Sequence, residues 1–206
     1  MKARIGVLGF QGSVTEHVEA VSRALENIKV ESEVLIVKKA SDIKSINGII
    51  IPGGESTVIG RLAEKSGLLS SLRIAILNGL PVFGTCAGVV MLAREVHDAK
   101  IGVTNQPILG VMDIKVLRNA FGRQRESFEV DIVIPRIGRE PFHAVFIRAP
   151  VIEAVLSSDV EVLAKLEDKI VLAQQNNMLA SVFHPELTSD LRLHEYFLKK
   201  ALSRII

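Results

Sequence analysis

The chain has 206 residues, 48% of them hydrophobic and 23% charged, with a formal net charge of +2 and one cysteine. That balance is ordinary for a globular protein, and the length fits a single domain over residues 1–206 with a core that needs no staples. No basic run suggests nucleic-acid binding, no apolar run reaches membrane-spanning length, and one thiol permits neither an intrachain disulfide nor an attractive zinc site.

In chain order, Met1-Lys2-Ala3-Arg4 leads straight into the apolar run Ile5 to Leu8, expected to be a buried strand. It lacks the apolar stretch and cleavage site of a signal peptide, so the expected location is cytoplasmic. Gly9-Phe10-Gln11-Gly12 is a turn, and Ser13 with Glu16 has capping-box spacing for a helix to about Asn27. Val34 to Val37 and Gly48 to Ile51 follow as strands. Helices are expected at Ser56 to Lys65 and Leu68 to Asn78, a strand at Pro81 to Phe83, and a helix from Ala87 to Val96. Strands spaced by helices predict a doubly wound, mostly parallel sheet. Met112 to Val116, Phe128 to Ile134, His143 to Ile147, Val160 to Leu166, Ile170 to Gln174 and Leu179 to Phe183 then suggest an antiparallel extension, before a terminal helix from Asp190 to Arg204. Phe128, Val130, Ile132 and Ile134 alternate as a half-buried antiparallel strand would.

Sites in open parallel sheets lie at the carboxyl ends of the strands, and three chemically unusual segments fall there. Gly84-Thr85-Cys86-Ala87-Gly88 is the thiol counterpart of a nucleophile elbow. Small flanking residues let the chain turn sharply, the following helix start favours thiolate, and the Ala87 amide is placed to donate to an oxyanion. His184-Pro185-Glu186 follows the last strand. His184 could move a proton between thiol and leaving amine, and Glu186, two residues on in extended chain, could orient it. Pro52-Gly53-Gly54-Glu55-Ser56-Thr57 lets backbone approach closely, with Gly54 as a second oxyanion donor and Glu55 or Ser56 as a helix cap. Each segment also has a plain structural alternative: a buried cysteine, a loop histidine, a simple turn. Arg118 and Arg148 are the candidates to grip a substrate carboxylate. His17, His97, His143 and His194 lack ligand-like spacing and are expected to be structural or solvated.

These segments, together with Gly9-Phe10-Gln11-Gly12, Arg118-Asn119-Ala120-Phe121-Gly122-Arg123-Gln124, Phe146-Ile147-Arg148-Ala149-Pro150 and His184-Pro185-Glu186-Leu187-Thr188, resemble class I glutamine amidotransferases nearly end to end. Within them the likeness is to the glutaminase subunits of pyridoxal 5'-phosphate synthases. The resemblance implies a flavodoxin-like fold and hydrolysis of L-glutamine to glutamate and ammonia without a cofactor. It implies Cys86 as nucleophile, with His184 and Glu186 completing a triad. Glutamine contacts are implied from Gly54, Glu55, Ser56, Arg118, Ile147 and Arg148. The implied partner is a barrel-shaped, oligomeric synthase subunit that receives the ammonia, and neither nucleic acid nor membrane is implied. Phe10 departs from the family's usual smaller aliphatic residue. Rival readings are a flavodoxin-like peptidase or chaperone, which usually has histidine where Ala87 stands, a glutaminase of another biosynthetic complex, and a non-enzymatic binding module.

Overall fold

The computed structural model describes residues 2–118 and 127–203. Its frame is five strands: Ala3–Leu8 (β1), Ser32–Val37 (β2), Gly48–Ile51 (β3), Val82–Thr85 (β4) and Met178–Ser181 (β13). They pair in parallel in the order β2-β1-β3-β4-β13. This is the flavodoxin-type order, whose carboxyl edge opens a crevice where the winding reverses. Strands β3 and β4 are buried throughout, as helices on both faces of a parallel sheet require.

Helices Val14–Asn27 (α1) and Arg192–Ala201 (α5) pack on each other, and Ser56–Lys65 (α2) packs on Leu68–Leu77 (α3) and Ala87–Leu92 (α4). Right-handed crossovers put α1 and α2 on opposite faces, because β1-α1-β2 and β3-α2-α3-β4 run outward in opposite directions from the sheet's centre. The expected apolar stripe of the last helix is buried: Leu191, Leu193, Phe197, Leu198 and Leu202 all face the core. The helix itself is shorter than Asp190 to Arg204, and Arg204 lies outside the described residues.

Beyond β13 the sheet continues as the antiparallel extension. Lys169–Gln175 (β12) pairs with β13, with Val160–Leu166 (β11) and with Val151–Val155 (β10), a strand not expected from the sequence. Met112–Arg118 (β7) pairs antiparallel with β10. Ser127–Ile132 (β8) and Phe142–Ile147 (β9) form a separate antiparallel pair. There Phe128 stacks on Phe146 at 4.6 Å, and Phe146 meets Phe183 at 5.7 Å, so the pair is packed against the segment after β13.

Two expectations are corrected here. The helix opening at Ala87 stops at Leu92, and Ala93–Asp98 is a strand (β5) pairing in parallel with β7 and antiparallel with the short strand Gly102–Val103 (β6). The amides of Leu109 and Val111 bond the Met91 and Leu92 carbonyls at 2.8 and 2.9 Å, which helps to end the helix there. Ser13 does occupy the N-cap position of α1, but its hydroxyl makes no cap bond. It has been recruited to the site described next. Asn119 to Gln124 of the Arg118 segment lie outside the described residues.

Candidate active site

Because β4 and β13 are parallel neighbours, the turns after them emerge side by side, although about a hundred residues of chain separate them. The Cys86 amide donates to the Ser181 carbonyl at 2.8 Å, tying the elbow to β13. The His184 amide donates to the Val145 carbonyl at 2.8 Å, tying the histidine turn to β9. The antiparallel pair therefore helps to aim the histidine as well as cover the core.

Cys86 adopts φ 48 and ψ −102. A non-glycine residue held at positive φ is a strained arrangement that surrounding structure must enforce. The enforcement is visible in its neighbours. A Cβ on Gly88 would stand 2.2 Å from the Ile51 carbonyl oxygen, and one on Gly84 would stand 2.7 Å from Gly88 itself. Only glycine lets the elbow sit this close to β3.

His184 Nδ1 lies 2.7 Å from Glu186 Oε1. The spacing expected for extended chain is delivered differently, since Pro185–Leu187 is a turn of 3-10 helix. The tight turn swings Glu186 back beneath the imidazole, where both side chains are nearly inaccessible. The Ser13 hydroxyl donates to the same Glu186 oxygen at 2.6 Å. Burial pushes the His184 imidazole down, and hydrogen bonds to Cys86 and Glu186 outweigh it, lifting it to about 10.

Burial also pushes the Glu186 carboxyl up, but the imidazoles of His17 and His184 and the Ser13 hydroxyl overcome it and hold it at about 2. A carboxylate lowered from 4.5 to about 2 contributes stability that is present above the first value and lost as pH falls through the second. The parent is therefore expected to exceed Glu186→Gln in stability by about 3 kcal/mol at neutral pH and to lose that margin on acidification. Thermal unfolding of both proteins between pH 7 and pH 2 checks this, and parallel curves would contradict it.

In front of Cys86 and His184 lies a cavity of about 290 Å³. Its lining includes Gly54, Glu55, Ser56, Ala87, Arg118, Ile147 and Arg148, joined by Gln11, Val90 and Pro150. The candidate nucleophile, base, oxyanion donors and glutamine contacts thus all reach the cavity, and Glu186 stands behind His184. The volume is at the small end for ligand pockets, suiting one amino acid rather than a peptide. Arg118 lies 3.4 Å from Glu55 Oε1, so the lining offers both signs of charge, as a zwitterion requires. Gln11 Oε1 accepts the Glu55 amide at 2.7 Å, and Glu55, not Ser56, caps α2 by accepting the Thr57 amide at 3.0 Å.

Sequence reasoning missed four side chains here. Ser13 and His17 are four residues apart on α1, the spacing of one helix face, and that was the available signal. Gln106 bonds Ser56, Thr57 and Arg118 at once and so braces the cavity wall. Thr85 is fully buried with its hydroxyl 2.9 Å from His17 Nε2. His17 and His194 were expected to be structural or solvated, and both are fully buried. Among the described residues no group of three or more His, Cys, Asp or Glu side chains is arranged to hold a metal ion. No helix among them is long and apolar enough to cross a membrane.

A sheet in flavodoxin-type order, with a thiol elbow at its carboxyl edge and an antiparallel extension, defines the class: the fold is that of class I glutamine amidotransferases. The chain belongs to the SNO glutamine amidotransferase family, whose model matches residues 7–203. It is 52% identical over 204 residues to pyridoxal 5'-phosphate synthase subunit PdxT of Staphylothermus marinus, covering 98% of this chain and 100% of that one. It is 54% identical over 197 residues to PdxT of Carboxydothermus hydrogenoformans, covering 96% and 97%. Among solved structures, a glutamine amidotransferase with 47% identity superposes with a TM-score of 0.84 over 96% of this chain and 98% of that one. A Thermotoga maritima glutamine amidotransferase at 14% identity shares the fold, with a TM-score of 0.60 over 100% and 86% of the two chains.

Proposed function

We propose that this protein hydrolyses L-glutamine to L-glutamate and ammonia, and delivers the ammonia to a synthase subunit that makes pyridoxal 5'-phosphate. The observation that carries the reading is the row Cys86, His184, Glu186 behind an amino-acid-sized cavity with charges of both signs. Half-identity to PdxT subunits over nearly the whole chain supports the substrate and the partner.

In this reading the Cys86 thiolate attacks the side-chain amide carbon of glutamine. Negative charge gathers on the amide oxygen, where the amides of Ala87 and Gly54 are the proposed donors. His184, oriented by Glu186, gives its proton to the departing nitrogen, and ammonia leaves a glutamyl thioester. His184 then takes a proton from water, hydroxide adds to the thioester, and glutamate departs with the thiolate restored. Arg118 and Arg148 hold the substrate carboxylate, with Glu55, Ser56 and Ile147 completing the glutamine pocket. The partner is a barrel-shaped, oligomeric synthase, and the pair works in the cytoplasm.

Free ammonia is lost to the medium, so hydrolysis is proposed to wait for docking. The Gly53 carbonyl accepts the Ser13 amide at 3.1 Å, and a Cβ on Gly12 would stand 1.6 Å from that carbonyl oxygen. Turning the Gly53–Gly54 peptide to present the Gly54 amide would break the Ser13 bond, a change that synthase contact near Gln11 could drive. One oxyanion donor is worth about 10²–10³ in rate. Ammonia release from glutamine is accordingly expected to rise at least tenfold when the synthase is added. Equal rates would remove the switch, and no release under either condition would remove the glutaminase reading.

A further inference from the structure

The catalytic row does not end at Glu186. One carboxylate oxygen, Oε1, is occupied by the Ser13 hydroxyl and by His184. The other, Oε2, is buried and makes no hydrogen bond of good geometry, yet it faces His17 Nε2 at 3.3 Å. The same His17 nitrogen lies 2.9 Å from Thr85 Oγ1, in the residue directly before Cys86. Behind His17, its Nδ1 meets His194 Nε2 at 3.3 Å. His194 comes from α5, so the contact is made by the packing of the terminal helix on α1. Both rings are fully buried.

The proton positions follow from what each nitrogen can satisfy. Burial pushes both imidazoles down, His194 to about 3, so both are neutral at pH 7. Each ring then carries one N–H, and the contact between the rings needs one donor and one acceptor. His194 Nδ1 is buried without a partner. A proton there would be an orphaned buried donor, at about 1–3 kcal/mol, whereas a bare lone pair is better tolerated. The His194 proton therefore sits on Nε2 and is donated to His17 Nδ1. His17 must then carry its own proton on Nε2, the nitrogen that faces Glu186 and Thr85.

We infer that His17 is a positioning residue of the site, locked by His194 as the Nε2–H tautomer, whose N–H edge bonds Thr85 and faces the second oxygen of Glu186, and which thereby steadies the aim of His184. This rests on the glutaminase reading above. Without that N–H, Glu186 Oε2 is a buried anionic oxygen facing no donor, and the carboxylate can pivot about the Oε1 contacts to Ser13 and His184 that remain. His184, anchored to it at 2.7 Å, turns with it.

The test measures synthase-supplemented ammonia release, with competent sites counted by titration of Cys86 with a glutamine-analogue affinity reagent. His17→Leu is expected to lower kcat per titrated site about 10- to 100-fold, the scale of a misaimed catalytic group, with KM within about threefold. His17→Gln, which returns an N–H near the same place, is expected to recover most of that loss. A purely structural role would lower the unfolding temperature in both variants and leave kcat per titrated site alone, and that result overturns the inference. A Gln variant no better than Leu overturns it as well. Ring nitrogen NMR of the unmodified protein gives a readout that needs no variant to fold. His17 is expected to carry its proton on Nε2 only, and a proton on Nδ1 refutes the tautomer. A parent protein that releases no ammonia even with synthase strikes the glutaminase reading. A fully active parent with a silent His17→Leu strikes His17 alone.

Discussion

Cys86→Ala is expected to reduce glutamine turnover by several orders of magnitude, measured with the synthase present so that the parent rate is at its highest. Removing a nucleophile that works as a unit with its base costs nearly all the chemistry the unit supplies, because the remaining members have nothing to activate. The substitution should leave the fold intact. Alanine is smaller than cysteine, and the positive φ of Cys86 is enforced by the close approach of Gly84 and Gly88 rather than by the sulfur. Retention of folding with loss of turnover therefore assigns the loss to the thiol. Near-parental glutaminase activity in this variant would sink the mechanism.

Gly53→Ala is expected to lower kcat about 100-fold through one added methyl group. A Cβ at Gly53 would lie 2.4 Å from His184 Cε1, 3.0 Å from its Nδ1 and 3.3 Å from Cys86 Cβ. The imidazole cannot simply step aside. Its Nδ1 is bonded to Glu186 at 2.7 Å, and its backbone amide to Val145 at 2.8 Å. Nor can the glycine segment easily withdraw, since it follows directly on the fully buried strand β3. Either response displaces the base relative to the thiol, and a displacement of about 1 Å in a catalytic group costs on the order of 10² in rate. Overpacking adds about 1–3 kcal/mol of instability, a fall of several degrees in unfolding temperature for a chain this size. Steady-state kinetics and thermal unfolding on one preparation check both. Parental kcat would mean that the methyl is accommodated and that the Gly53–His184 contact does not set the geometry.

The two predictions draw on different kinds of information. The elbow around Cys86 could be found in five consecutive letters, because a strand, a sharp turn and a helix start are all local demands on the chain. The clash at Gly53 could not. It depends on β3 and β13 delivering their turns to the same crevice, and on how far His184 leans across it. The same division runs through the fold. Ile5 to Leu8, Gly48 to Ile51 and the apolar stripe of the last helix were legible because their periodicity records burial directly. Ala93–Asp98 was not. Its Ala, Arg and Glu favour helix locally, and pairing with β7 overrides that preference.

Ser13 shows the limit most clearly. Its spacing to Glu16 satisfies a capping rule written for neighbours in sequence, yet its hydroxyl goes to Glu186, 173 positions away. A buried carboxylate offers a stronger hydrogen bond than a solvent-accessible helix amide, so the long-range partner wins. By itself the sequence determined most of the strand and helix alternation, the thiol elbow and the His-Pro-Glu turn. Only the tertiary structure decided what stands behind them: Ser13 and His17 against Glu186, His194 against His17, Gln106 against Arg118. Those contacts join residues far apart in the chain, and their strength comes from exclusion of water, which exists only once the sheet and its two helical faces have closed.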